Sequence, residues 1–135
     1  MKDKMEARFQ KLSAALLDKA GGKFSLEEAA QHLSMSRKEL NDKIRTDDVL
    51  GMMHGGALII PKIQTVFNDG KLKLLPGISD LLAIFSAAKA GQWMALQFLV
   101  EPDPNLARTP VEALKTGDVA AVLHAARARL GLDEG

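Results

Sequence analysis

The chain has 135 residues, of which 47% are apolar, so it is long enough and apolar enough to form a hydrophobic core. It has no cysteine, which excludes disulfides and thiolate-bound zinc and favours a reducing compartment. Eighteen basic residues and 17 acidic residues give a net charge of +1, so only local clusters of charge can indicate a partner. No signal peptide and no membrane span is visible, and we therefore expect a cytoplasmic protein without membrane contact.

Three helices are predicted in the first 45 residues. Apolar residues at helical spacing predict a first helix over 4–20. A Ser-x-x-Glu capping box at Ser25–Glu28 begins a second helix, and another at Ser36–Glu39 begins a third. Only Ser34-Met35 joins the last two helices. This layout predicts a helix-turn-helix, whose second helix lies in the major groove of DNA in proteins of that kind.

The middle of the chain predicts a small β-hairpin. Two apolar runs, 49–54 and 57–60, flank Gly55-Gly56, which is the pattern of a tight hairpin turn. A two-stranded hairpin is marginal alone, so we expect it to pack on the helices as a wing. Residues 68–77 contain turn signals and little apolar periodicity, and they are predicted to form a linker.

Helical spacing returns in the C-terminal half. It predicts a helix from Ser79 to near Gly91 and another over 93–100, which is apolar on nearly every side and is therefore either central in the bundle or part of a subunit interface. Thr109–Glu112 is a third capping box with proline at the first helical position. Asp118 is predicted to cap the last helix.

These elements together predict a mainly α protein made of an N-terminal winged helix-turn-helix with a small β-hairpin and a C-terminal helical bundle. Residues 1–67 are expected to bind DNA, 68–77 to form the linker, and 78–135 to bind a partner.

The third predicted helix carries four basic residues against two acidic ones. Arginine and asparagine are the residue types that form bidentate hydrogen bonds with guanine and adenine, and a helix N-terminus can accept a phosphate. The alternative is a solvated helix pair whose charges only keep one face wet. A single copy would bind DNA weakly, so we expect a homodimer or higher oligomer on double-stranded DNA. The predicted DNA-binding residues are Ser36, Arg37, Lys38, Asn41, Lys43, Arg45 and His54.

Catalysis and metal binding have no support in the sequence. The three histidines, His32, His54 and His124, lie in different predicted elements and lack the spacing of a metal site. No nucleophile and base stand together in a recognisable motif, and no glycine-rich phosphate loop occurs. We expect a protein that is not an enzyme and takes no cofactor.

The C-terminal half resembles a known domain in four segments, 93–99, 102–106, 108–114 and Gly117-Asp118. Arg-Thr-Pro followed by Glu-Ala-Leu is the most specific of these motifs. Together they resemble the toxin-binding domain of the Xre/MbcA/ParS-type antitoxins over about residues 76–130. The N-terminal half looks more like an excisionase or MerR-like helix-turn-helix module.

The resemblance implies an antitoxin that neutralises a RES-type toxin, represses its own operon and contributes no chemistry itself. Arg108 has no structural duty visible from the sequence, so it is a candidate for contacting the partner. The expected partner-binding residues are Arg108, Thr109, Leu114 and Leu130. The alternative function is a stand-alone DNA-binding regulator or architectural protein whose C-terminal half only dimerises.

Overall fold

The computed structural model describes residues 2–132, with side chains from Lys4 onward. This part of the chain contains seven α-helices: α1 (Lys2–Lys19), α2 (Leu26–His32), α3 (Arg37–Arg45), α4 (Ile78–Ala87), α5 (Gln92–Val100), α6 (Pro110–Lys115) and α7 (Val119–Arg129). It also contains five strands: β1 (Lys23–Ser25), β2 (Met52–His54), β3 (Ala57–Pro61), β4 (Thr65–Asn68) and β5 (Lys71–Leu74). A short 3₁₀ helix, Lys62–Gln64, separates β3 from β4.

The predicted helix starts are confirmed where the two capping partners lie three positions apart in the chain. The Ser25 side chain accepts from the Glu28 amide while the Glu28 carboxylate accepts from the Ser25 amide, and Thr109 and Glu112 form the same reciprocal pair. Such caps satisfy amides that a helix N-terminus leaves without partners. Asp118 is the N-cap residue of α7, as predicted, but its side chain makes no capping bond and instead binds Arg108.

The predicted hairpin forms, but it is part of a larger sheet. Gly55 and Gly56 adopt φ values of 60° and 80°, which a tight two-residue turn requires of both central residues. Strand β3 also pairs with β1 in antiparallel register, which gives the order β1-β3-β2. The hairpin is therefore held on one side by a strand from the start of the chain.

A second hairpin occupies most of the predicted linker. Strands β4 and β5 pair with Thr65 opposite Leu74 and Asn68 opposite Lys71, around Asp69-Gly70. Leu72 of this hairpin is buried. The prediction of a linker over 68–77 is wrong, because Leu72 and Leu75 both insert into hydrophobic clusters.

The larger hydrophobic cluster joins the two halves of the chain. It combines Leu17, Leu50 and Ile59 with the buried faces of α4, α5, α6 and α7. A smaller cluster lies under α2 and α3 and contains Phe24, Ala29, Ala30, Leu40, Ile44, Val49, Ile60 and Leu72. The C-terminal helices are thus packed on the central sheet and on α1.

The predicted fold class, an N-terminal winged helix-turn-helix followed by a C-terminal bundle, is wrong. The described residues form seven helices and two small antiparallel sheets, with the strands in the middle of the chain. The physical reason is that β2 and β3 each carry apolar residues, such as Met52 and Ile59, that the C-terminal helices cover. A projecting wing would leave those side chains in water.

Gln64 is a fully buried polar residue at the centre of this arrangement. Its amide oxygen accepts from the Leu50 amide at 2.8 Å, and its amide nitrogen donates to the Leu50 carbonyl at 2.7 Å and to the Pro61 carbonyl at 3.2 Å. The side chain therefore supplies the hydrogen bonds that a neighbouring strand would otherwise make to the backbone of Leu50 and Pro61.

Within residues 2–132, no helix is both long enough and apolar enough to cross a membrane.

Candidate nucleic-acid interface

A tight connection sets α3 against α2. Helix α2 ends at His32 with Leu33 as its C-cap, and Ser34 then adopts a φ of 59°, in the left-handed region. The Met35 amide donates to the Ala30 carbonyl at 3.0 Å, which closes the end of the helix as in a Schellman motif. Ser36 follows at once and caps α3 by accepting from the Glu39 amide at 3.0 Å. The turn of the predicted helix pair is therefore only four residues long, 33–36.

Helix α3 has one buried side and one exposed side. Leu40 and Ile44, one helical turn apart, are buried in the cluster shared with α2. Arg37, Asn41 and Arg45 follow one another at intervals of four, so they share a face, and Lys38 lies beside them. All four are exposed. The face is basic, and we call it the α3 basic face, defined by Arg37, Lys38, Asn41 and Arg45.

Lys43 does not belong to the α3 basic face. At 3.6 residues per turn it lies about 200° around the helix from Asn41. It is also partly buried. Lys43 therefore does not share a face with Arg37, and its contact with DNA stays a prediction separate from that of the α3 basic face.

Two of the basic side chains make ion pairs on the surface. Arg37 lies 3.2 Å from the Glu27 carboxylate on α2, and Arg45 lies 2.6 Å from that of Asp42. All four side chains are more than two-fifths exposed. Exposed pairs contribute at most about 1 kcal/mol, so either arginine can exchange its carboxylate for a phosphate at low cost.

The second hairpin places two further lysines in the same half of the molecule as α3. Lys71 and Lys73 are exposed on β5, while Leu72 between them is buried in the cluster beneath α2 and α3. Near the turn, the Phe67 ring meets the His32 ring at the end of α2, at a centroid distance of 6.3 Å. The sequence prediction missed this element, although the alternation Lys-Leu-Lys-Leu after Asn-Asp-Gly is a hairpin signal.

His54 lies against the C-terminal helices. Its ring meets the Trp93 ring of α5 at 6.0 Å, and its Nδ1 is buried without a hydrogen-bond partner among the described residues. Strand β2 is at the edge of the sheet opposite β1, which leads into α2. His54 therefore packs on α5 and lies apart from α3, and its contact with a phosphate stays a prediction.

Hydrogen bonds fix the caps and the far end of α3. The Ser25 amide and hydroxyl, by bonding the Glu28 carboxylate, hold the pKa of Glu28 below its ordinary value. After α3, the Asp48 carboxylate accepts from the Thr46 hydroxyl at 2.8 Å and from the Ser79 hydroxyl at 2.9 Å. These bonds, that of Thr46 first, lower the pKa of Asp48. Since Ser79 lies in the first turn of α4, this carboxylate connects the end of α3 to the C-terminal helices.

The expected partner-binding residues are mostly structural. Leu114 is 1% exposed and belongs to the larger core, so it cannot contact a partner, and Leu130 packs against that core. Thr109 caps α6. Arg108 binds Asp118 at 3.1 Å and so joins the segment before α6 to the start of α7. Arg108 thus has a structural duty that the sequence does not reveal.

Comparison with known proteins gives a likeness of fold alone. No family model and no curated protein sequence matches the chain. Among solved structures, the NMR structure of Rv2175c is similar, with a TM-score of 0.68, 20% sequence identity and coverage of 80% of each chain. At that identity the likeness concerns the arrangement of helices and strands and says nothing of a ligand.

Proposed function

We propose that this protein binds double-stranded DNA through the α3 basic face and acts as a transcriptional repressor in the cytoplasm. The observation that carries the proposal is that Arg37, Lys38, Asn41 and Arg45 share one exposed face of a helix that Leu40 and Ile44 anchor in a hydrophobic cluster. A helix held in this way is rigid and free on one side, as a helix that enters the major groove has to be.

The side chains on the α3 basic face suit the edges of bases. Arginine donates in a fork to O6 and N7 of guanine, and asparagine pairs in the same way with N6 and N7 of adenine. Arg37 and Asn41 lie near the start of α3, where a recognition helix meets base edges. The free amides of that helix end, together with Ser36, can bind a phosphate. Lys71 and Lys73 lie on the second hairpin, whose Leu72 packs in the cluster with Leu40 and Ile44, and they add positive charge that strengthens long-range attraction to the DNA backbone.

Binding to duplex DNA tests the proposal. We expect the full chain to select a sequence from a pool of random duplexes and to lose affinity as salt rises, with a logarithmic slope near −0.9 for each phosphate neutralised. Arg37→Ala is expected to weaken the selected site by about 1–3 kcal/mol and to relax its sequence preference.

Lys43→Ala is the matched control, because it removes one positive charge from the other side of the same helix. We expect it to change affinity much less than Lys38→Ala. Equal losses from the two lysine variants would mean that binding responds to overall charge rather than to the α3 basic face. Unchanged affinity in an Arg37→Ala, Lys38→Ala double variant would contradict the proposal.

We also propose a role as an antitoxin for a RES-type toxin, which the sequence resemblance implies. A specific feature supports a protein partner there: a groove of about 430 Å³ lies between α4 and α7, lined by Ile84, Leu123, Arg127 and Leu132 among others. Leu132 is 44% exposed at its end. An apolar groove with an arginine at its rim is a suitable site for a protein contact.

Co-expression with a RES-type protein encoded beside this gene tests the antitoxin role. The full chain is expected to relieve toxicity, and Leu132→Asp, at the exposed end of the groove, is expected to abolish relief without loss of folding, as judged by circular dichroism. Val66→Asp, at an exposed apolar residue on β4, is the control. If the full chain gives no relief, the alternative, a stand-alone regulator without a toxin partner, is the better proposal. In either role the protein is proposed to have no catalytic activity.

A further inference from the structure

The first half of α1 is left largely exposed by the rest of the fold. Every described side chain from Lys4 to Leu12 is exposed, including Met5 at 74%, Phe9 at 47% and Leu12 at 61%. Helical segments of this length are marginal in water when nothing packs on them. Burial against the protein begins only at Ser13 and Leu17. Apart from the contact of Phe9 with Trp93, the projecting part of α1 therefore lacks the packing that normally stabilises a helix.

The apolar residues of this segment form a regular stripe. Met5, Phe9, Leu12 and Leu16 are separated by four, three and four residues. That is the spacing of the a and d positions of a coiled coil, at which one helix packs along another. The stripe lies beside the positions that the fold buries, Ser13, Leu17 and Ala20, and is distinct from them.

A groove lies next to the stripe. It has a volume of about 300 Å³ and runs between α1 and α5, lined by Phe9, Leu12, Leu16, Trp93, Gln97 and Glu101 among others. The Phe9 ring stands edge-on to the Trp93 ring at 5.7 Å and forms one wall. At one end, Lys19 lies 3.9 Å from Glu101. Met94, 46% exposed, extends the apolar surface along α5.

We propose that the occupant of this surface is a second copy of the chain, with the two α1 helices packed antiparallel. Met5 projects at one end of the stripe, and the groove lies beside Leu16 at the other end. A two-fold axis midway between Phe9 and Leu12 places each Met5 in the groove of the other chain. This self-complementarity is what an interface between identical subunits requires.

The charges beside the stripe favour this register over one centred near residue 7. The flanking positions of the projecting half hold Glu6 and Arg8. In the register centred between Phe9 and Leu12 they face Ser13 and Ala15 of the partner subunit, which are small and uncharged. A register centred near residue 7 would bring Glu6 against its own copy and Arg8 against its own copy. Like charges at such positions oppose pairing.

The size of the surface fits a dimer. The exposed parts of Met5, Phe9, Leu12 and Met94 amount to on the order of 400 Å² per chain, which is as large as the largest apolar patch of an ordinary monomer. A stable interface needs about 800 Å² per partner. The proposed dimer therefore also has to bury the flanks of α1 and the rim of the groove on α5.

The mass of the full chain in solution tests the proposal, without DNA. Light scattering is expected to give twice the 14.6 kDa of one chain. Leu12→Glu is expected to weaken association by about 100-fold or more, because pairing would bury a charge. Leu132→Glu makes the same exchange at another exposed leucine and is expected to leave the dimer intact. A single-chain mass for the unmodified protein at millimolar concentration, or a dimer that survives Leu12→Glu, would overturn the proposal.

Crosslinking tests the register. Since the chain has no cysteine, Met5→Cys and Leu16→Cys each introduce a unique thiol. A short thiol-reactive crosslinker is expected to join the two variants when they are mixed and to join neither to itself. A covalent dimer of Met5→Cys alone would indicate parallel helices and would contradict the antiparallel arrangement.

Discussion

Gln64 shows how one buried side chain can hold a junction of the backbone. The residue is enclosed completely, yet all three of its short hydrogen bonds go to backbone groups of Leu50 and Pro61. A buried N–H or carbonyl without a partner costs about 1–3 kcal/mol. These bonds therefore stabilise the fold mainly because they prevent that cost, and less through the net free energy of the bonds themselves.

Gln64→Leu is accordingly expected to lower the free energy of unfolding by about 2–4 kcal/mol, because the Leu50 amide and carbonyl both lose their partner. Urea unfolding followed by circular dichroism measures the change. Gln31→Leu, at an exposed position of α2, is the control and is expected to change stability by less than about 0.5 kcal/mol. A similar loss in the two variants would show that the hydrogen bonds of Gln64 are not the cause.

For single residues, the sequence predicts only those contacts whose two partners lie close together in the chain. Ser25 with Glu28, and Thr109 with Glu112, could be assigned because both partners lie within four positions. The position of Lys43 also follows from helical geometry once the buried side of α3 is known. His54 could not be placed, since its contact with Trp93 joins residues 39 positions apart, and no local pattern encodes it.

Among the elements, the start of α4 depends on a glycine that other elements crowd. Gly77 has a φ of 92°, and a Cβ built there would lie 2.8 Å from Val119 Cγ1 and 3.2 Å from Leu114 Cδ2. The position thus requires a residue with no side chain for two separate reasons, the backbone conformation and the closeness of α6 and α7.

Gly77→Ala is expected to destabilise the protein by about 2–4 kcal/mol, which combines about 1–2 kcal/mol of backbone strain with the cost of overpacking. Gly117→Ala separates the two causes, because Gly117 has a φ of 85° but nothing within 4 Å of its built Cβ. It is expected to cost about 1–2 kcal/mol. Equal losses in urea unfolding would mean that the crowding at Gly77 relaxes without cost.

Whole elements were predicted well where a cap, a glycine or a proline marks an end. Helices α2, α3 and α6 and the hairpin at Gly55-Gly56 are examples. Strands β4 and β5 were missed because each is only four residues long and mostly not buried, so that the turn residues between them dominated the interpretation. Three-residue β1 was missed because its stability comes from pairing with β3 and not from its own sequence.

For the molecule as a whole, the main error was to separate the two halves. Leu50, which is fully buried, packs in the same cluster as the C-terminal helices, and Leu75 joins them from the end of the second hairpin. These contacts connect residues far apart in the chain, and apolar periodicity does not indicate which other element covers an apolar face. The α3 basic face could be predicted because it lies on one helix with a clear buried side.

Leu50→Ala is therefore expected to destabilise both halves equally, by about 2–5 kcal/mol. Native-state hydrogen exchange is the measurement, since it reports each helix separately. The slowest amides of α7 should accelerate by the same factor as those of α3. Acceleration confined to α3 would show that the two halves unfold independently.

Trp93 gives the molecule a single intrinsic fluorophore, because the chain has one tryptophan and no tyrosine. Its ring lies between Phe9 of α1 and His54 of β2, at 5.7 and 6.0 Å. Its emission therefore comes from the place where the first helix, the central sheet and the C-terminal helices meet. Detachment of α1 would bring water to the indole and shift that emission to longer wavelength, so the seating of the first helix can be followed optically in the unlabelled protein.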